Sequence, residues 1–145
     1  MEDSPNPTPG LRRRLASMTY EALLLLGVLS VTFLLPNMAL GMAFAITLPG
    51  WLLVLHIALV LGVYFVWYWH HGGQTLAMQT WKLRISTPNG TPPSLKQLLV
   101  RYLLAWPSII YLGAGLLWAL FDRNRQFLHD RLAGTTIVFT EKPRK

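Results

Sequence analysis

The 145-residue chain has no cysteine, which excludes disulfides, thiolate metal sites and cysteine nucleophiles. It is also short of charge: six acidic residues stand against thirteen Lys and Arg, and charged residues are only 13% of the total. Soluble domains carry about 25%, so an ordinary soluble fold is excluded. Phosphate-cradling glycine loops, a nucleophile elbow and His-Glu-x-x-His are all missing, which removes the usual sequence grounds for assigning an enzyme. What the chain does have is 52% hydrophobic residues, gathered into blocks that polar connectors dilute to a mean hydropathy of +0.37. Such a chain belongs in lipid. Its net charge of +7 lies beside the apolar blocks, which points to anionic lipid headgroups and not to nucleic acid as the partner.

Residues 1–10 carry three prolines and no apolar periodicity, and read as a disordered lead-in. The membrane domain is expected over 11–140, with a basic tail at 141–145. Arg12, Arg13 and Arg14 open onto an apolar stretch whose only ionisable residue is Glu21. At about 1.5 Å per residue a helix over 15–35 covers roughly 30 Å, the thickness of a bilayer core. A signal peptide is the rival reading, but the run is too long, contains Glu21 and is followed by two more apolar blocks. The basic cluster places the N-terminus in the cytoplasm, and the uncharged segment 36–48 reads as an external loop. A second helix is expected over 49–69, bracketed by Trp51 and by Trp67-Tyr68-Trp69 and capped by Gly72-Gly73.

The polar connector 72–96 carries Lys82, Arg84 and Lys96, and Trp81 to Ser86 alternates with period two before the turn signal Pro88-Asn89-Gly90. Thr135 to Thr140 is a second β-branched strand candidate. If the two strands pair, both lie on one face of the membrane. The third apolar segment, 98–121, leaves two arrangements open. It crosses once, with a kink at Pro107, or it enters and returns, breaking at Pro107 or at Gly113-Ala114-Gly115. The fold expected is therefore an all-α membrane protein: two transmembrane helices, a third Pro-broken apolar helical segment and a small cytoplasm-facing β element.

Glu21 is the leading chemical group, because an ionisable residue inside a membrane is costly and marks ion handling or a buried pair. Arg14, two turns away on the same helical face and about 10 Å along the axis, is placed to snorkel to the interface. Depth along the helices sets Tyr64 nearer than His56 to the level of Glu21, so a Glu21–His56 relay is not favoured. Adjacent His70 and His71 diverge on a helix, so no metal site is expected there. His129 and Asp130 are adjacent too, and a catalytic pair is not expected. Ala58-x-x-x-Gly62 permits close helix approach. Asp122 to Arg125 and Asp130-Arg131 read as an interfacial polar network in which each Asp is kept ionised by a flanking Arg.

Arg13-Arg14-Leu15-Ala16 leading to an intramembrane acid, Gly73-Gln74-Thr75-Leu76, the strand with its glycine turn, Leu120-Phe121-Asp122-Arg123 and His129-Asp130-Arg131-Leu132-Ala133-Gly134-Thr135 together resemble the RDD family of small membrane proteins, over about Gly10 to Phe139. That resemblance implies the one arginine and two acids for which the family is named: Arg14, Glu21 and Asp130, with Arg13, Gln74, Thr75, Asp122 and His129 in support. The chain departs from the pattern twice. Glu21 stands for the first aspartate, and Ala77-Met78 stands where Gly-Lys is usual. The resemblance implies membrane transport as the suspected activity.

Sequence reasoning thus points to a multi-pass protein of the bacterial inner membrane that transports, or regulates transport of, a cation, proton or small solute. It is expected to have no cofactor, no bound metal and no enzymatic activity, and to act as a homo-oligomer or with a partner membrane protein. The alternative is a non-transporting scaffold or accessory subunit in which the arginine and acids only lock the helices.

Overall fold

The computed structural model describes residues 9–110, 114–121 and 126–140. Its first apolar stretch is one continuous helix of 34 residues, Leu11–Phe44. It comprises α1 (Leu11–Leu29), a π-helical turn over Ser30–Leu34 and α2 (Leu35–Phe44). The expected external loop over 36–48 is corrected: helix persists to Phe44 and only 45–49 connect it to the next. Pro36, the second residue of α2, does not stop the helix. In a regular α-helix its ring meets the carbonyl four residues earlier, and the wider π turn just before it absorbs that mismatch. Ser30 Oγ, Thr32 Oγ1 and Asn37 Nδ2 each donate at 2.7 Å to a carbonyl one turn back, satisfying these polar groups within the apolar helix. The helix ends at Ala45 in a left-handed conformation (φ 54°), where Ala45 N–H and Ile46 N–H return to Gly41 O and Leu40 O.

The second long helix, α3 (Gly50–His70), begins after Pro49 as expected. Both this helix and Leu11–Phe44 are long and apolar enough to cross a membrane. The chain leaves α3 through Gly73, whose N–H returns to Trp69 O at 2.9 Å. Gly73 has φ +69°, and a Cβ there would lie 2.9 Å from Arg84 Cγ and 3.0 Å from Ile85 O, so both conformation and space require glycine.

The connector holds a short helix that sequence periodicity did not show, α4 (Leu76–Thr80), followed by β1 (Leu83–Ser86). The expected turn closes between Thr87 and Thr91 with Gly90 at φ +79°. Next come α5 (Leu95–Ile110), α6 (Ala114–Phe121), α7 (Leu128–Ala133) and β2 (Thr136–Phe139). β1 and β2 pair antiparallel in the register Leu83↔Phe139 to Ser86↔Thr136.

That pairing joins the two ends of the third segment. The chain departs from the sheet into α5 and comes back to it from α7, and α7 packs along α5. The described helices of this segment are α5, with 16 residues, and α6, with 8; residues 111–113 between them are outside the described residues. Pro107 lies inside α5, which runs on to Ile110, and Ala114 and Gly115 lie inside α6; Gly113 is outside the described residues.

The core sits where sheet, α3, α4 and α5 meet, around Trp69, Met78, Leu83, Ile85, Leu98 and Phe127. Higher up, Tyr102 closes α5 onto α3. Its hydroxyl donates to Ala58 O at 2.6 Å, and a Cβ on Gly62 would come within 3.2 Å of its ring. The Ala58-x-x-x-Gly62 pair thus admits a tyrosine ring from α5.

Candidate functional site

Between α1, α3 and α5, above the floor made by α4, α7 and the sheet, lies a cavity of about 410 Å³. Its wall is mostly apolar, but Arg14, Ser17 and Glu21 of α1, Thr75, Arg101 of α5 and His129 of α7 all line it. Each of these polar residues is buried, between 1% and 8% exposed. Placing them there is a matter of helical spacing: Arg14, Ser17 and Glu21 recur at three and four residues, so they share the one face that α1 turns inward.

Glu21 is held by hydroxyls on both carboxylate oxygens. Tyr64 Oη donates to Oε1 at 2.6 Å, and Thr75 Oγ1 donates to Oε2. The first contact is the one that helix depth predicts. The second depends on α4: Thr75 is its N-cap, accepting Met78 N–H at 3.3 Å while giving its own proton to Glu21. Hydroxyls both donate and accept, so this environment suits the carboxylate and the protonated acid alike.

Asp130 is held differently. It is 1% exposed, and Oδ1 accepts from Arg101 Nε at 2.6 Å. The guanidinium of Arg101 also lies over the Trp69 ring, 4.3 Å from its centroid. This is a buried ion pair with a permanent cation. The cation that pairs with Asp130 therefore comes from another helix, not from its neighbour Arg131 as the sequence suggested. His129 Nε2 lies 3.9 Å from Asp130 Oδ1, too far for a hydrogen bond, and its Nδ1 is 3.4 Å from Ser108 Oγ. Burial above all, with help from Arg101 and against the pull of Asp130, holds the His129 pKa down to about 4, so the ring is neutral near pH 7.

Of the residues singled out from sequence, Arg14, Glu21, Thr75 and His129 meet at the cavity, and Asp130 stands behind Arg101. Arg14 does not snorkel outward: it is 3% exposed, its guanidinium 5.1 Å from the Phe127 ring. Arg13 lies outside the cavity, exposed and 5.0 Å from the Phe139 ring. Gln74 serves the sheet, donating to Leu83 O at 2.7 Å and to Thr140 Oγ1 at 2.8 Å. Asp122 and the rest of Asp122 to Arg125 lie outside the described residues. His56 packs edge-on to Phe33 at 5.3 Å, and His71 stacks on Trp67 at 4.0 Å.

Sequence reasoning missed Arg101. A signal was present: it is the only charged residue between Leu98 and Phe121, and an isolated cation in an apolar run calls for a buried partner.

The chain is 35% identical over 81 residues to an uncharacterized protein of Rickettsia prowazekii, an alignment that covers 55% of this chain and 44% of that relative. It therefore spans less than half of that protein's length. No solved structure matches. Residues 8–134 match the model of the RDD family, and since they take in the whole of α1 to α7, the helices, the tail and the cavity between them, the chain belongs to the RDD family.

Proposed function

We propose that this chain is a multi-pass protein of the bacterial inner membrane, its N-terminus in the cytoplasm, that transports a small solute or ion, or regulates such transport, through reversible protonation of Glu21. The observation that carries the proposal is the setting of Glu21: a buried acid on a membrane-length helix, facing a cavity and held, among the described residues, by two hydroxyls. A carboxylate needed solely for packing is better served by a fixed cation, as at Asp130. Helix α5 and helix α6 form a re-entrant pair in this reading, with the sheet and the basic residues Lys82, Arg84 and Lys96 toward anionic headgroups on the cytoplasmic side. Two spanning helices do not enclose a pathway, so the working unit is a homo-oligomer or a complex with another membrane protein. The role proposed is non-enzymatic and needs no cofactor.

Liposomes containing the purified protein and an internal pH dye, given Na⁺, K⁺ and pH gradients in turn, test this directly. Wild type should show gradient-dependent proton flux and Glu21→Gln, equally well folded, should show none. Absence of flux from both would favour the scaffold reading, for which the Arg101–Asp130 pair is the specific support: it fastens the tail to α5 whether or not anything moves.

A further inference from the structure

We infer that the cavity accepts a single-chain amphipathic monoanion, an apolar tail ending in a carboxylate, and that it does so when Glu21 carries a proton. The inference rests on the reading above that this cavity is the working site of a membrane protein, and it adds the chemical class of the solute.

The cavity has two unlike ends. Its floor gathers Arg14, Arg101, Glu21, Thr75 and His129, whereas the part toward the middle of α1, α3 and α5 is lined by Ala22, Leu25, Leu61, Ala105, Trp106 and Ile110. A small polar head at the floor and an apolar tail above it fit that division. Helices α1 and α5 do not pack along one another, and Ala22 and Ile110 on either side are exposed. In a bilayer this opening faces lipid, so a ligand dissolved in the membrane enters sideways without crossing water. A volume of about 410 Å³ suits one chain, not two.

Charge selects the head. Arg14 and Arg101 contribute two positive charges, Glu21 and Asp130 two negative ones. Protonating Glu21 makes the site one charge more positive than it is with Glu21 ionised. The groups around Glu21 are Arg14 on its own helix, Tyr64 on α3, Thr75 at the start of α4, Arg101 and Tyr102 on α5, and His129 on α7. Of these, His129 is neutral near pH 7, and Glu21 is the acid held by hydroxyls that can serve either protonation state. Proton and anion therefore enter as a neutral sum. Donors for the head are at hand. Among the described residues Arg101 uses only Nε, and the indole Nε1 of Trp69, a residue 5% exposed on the same wall, has no acceptor. A carboxylate has the geometry to take guanidinium N–H groups in pairs.

Trp69 and Trp106 in the wall make the test optical. The full-length protein in uncharged micelles is titrated with dodecanoate brominated near the tail end, whose bromine quenches tryptophan on contact; brominated dodecanol and a brominated dodecyl ammonium serve as neutral and cationic probes. Saturable quenching by the carboxylate at least tenfold tighter than by either control, strengthening as pH falls from 8 to 6, is the expected result. Glu21→Gln, which mimics the protonated acid, should bind as tightly and without pH dependence. Ala105→Phe, which fills the apolar end and touches no charged group, should weaken binding at least tenfold. Equal binding of acid and alcohol, no saturable quenching by any probe, or quenching by a brominated phosphatidylglycerol but not by the single-chain acid would each overturn the inference. Proton flux in liposomes without carboxylate binding would overturn this inference and leave the transport reading standing. Carboxylate binding without flux would do the reverse.

Discussion

Glu21 and Asp130 are both buried carboxylates, and they are held by opposite kinds of partner. Asp130 faces Arg101 at 2.6 Å, a group that cannot give up its charge. Glu21 faces two hydroxyls, which can reverse the direction of their hydrogen bonds. The first arrangement has one stable state and joins two elements far apart in sequence, α5 and the tail. The second has two states of similar hydrogen-bonding quality and lies against open space. Burial alone thus does not mark a working acid; the freedom of its partners to accommodate a second protonation state does.

The sharpest way to break this comparison is to neutralise each acid in turn. Asp130→Asn leaves the Arg101 guanidinium buried without its counter-charge and should cost about 3–5 kcal/mol, read as a large fall in the thermal unfolding midpoint in detergent. Glu21→Gln keeps an acceptor oxygen for one hydroxyl and offers an N–H to the other, whose oxygen can accept it, and should cost less than about 1 kcal/mol. Equal losses would erase the distinction.

Acid should attack the Asp130 side by way of His129. The ring titrates near 4 in the fold and near 6.5 when unfolded, so the unfolded chain binds the extra proton first. The stability His129 contributes is complete above about pH 6.5 and is lost as pH falls toward 4, up to about 3 kcal/mol in all. Unfolding midpoints measured from pH 7.5 to 4 should show this fall in wild type, and His129→Gln should flatten it.

Smaller effects sharpen the Glu21 side. Thr75→Val removes both the cap of α4 and one donor to Glu21 and should destabilise by about 1–2 kcal/mol, with Thr75→Ser restoring most of it in the same melting assay. Tyr64→Phe removes the other donor alone. A loss of about 0.5–1.5 kcal/mol is expected in the same melting assay.

Much of this was readable in the chain. Periodicity and length showed two membrane-length helices, the alternation around Leu83 and the β-branched run at Thr136 showed the strands, and Glu21 stood out as an acid in an apolar helix. The errors have local causes. Pro36 is a breaker by rule, and only the π turn beside it explains why the helix survives. α4 is five residues long, too short to show a period. Arg101 was overlooked because its partner, Asp130, is 29 residues away.

The sequence by itself determined the setting, because hydropathy, charge placement and helix length are sums over neighbouring residues. Only the tertiary structure decided the site. Whether a buried acid meets a hydroxyl or a guanidinium depends on which distant side chain arrives beside it, and here the antiparallel pairing of β1 with β2 makes that choice. By returning the chain to its starting level, it sets α7 and Asp130 against Arg101 and leaves Glu21 facing the cavity.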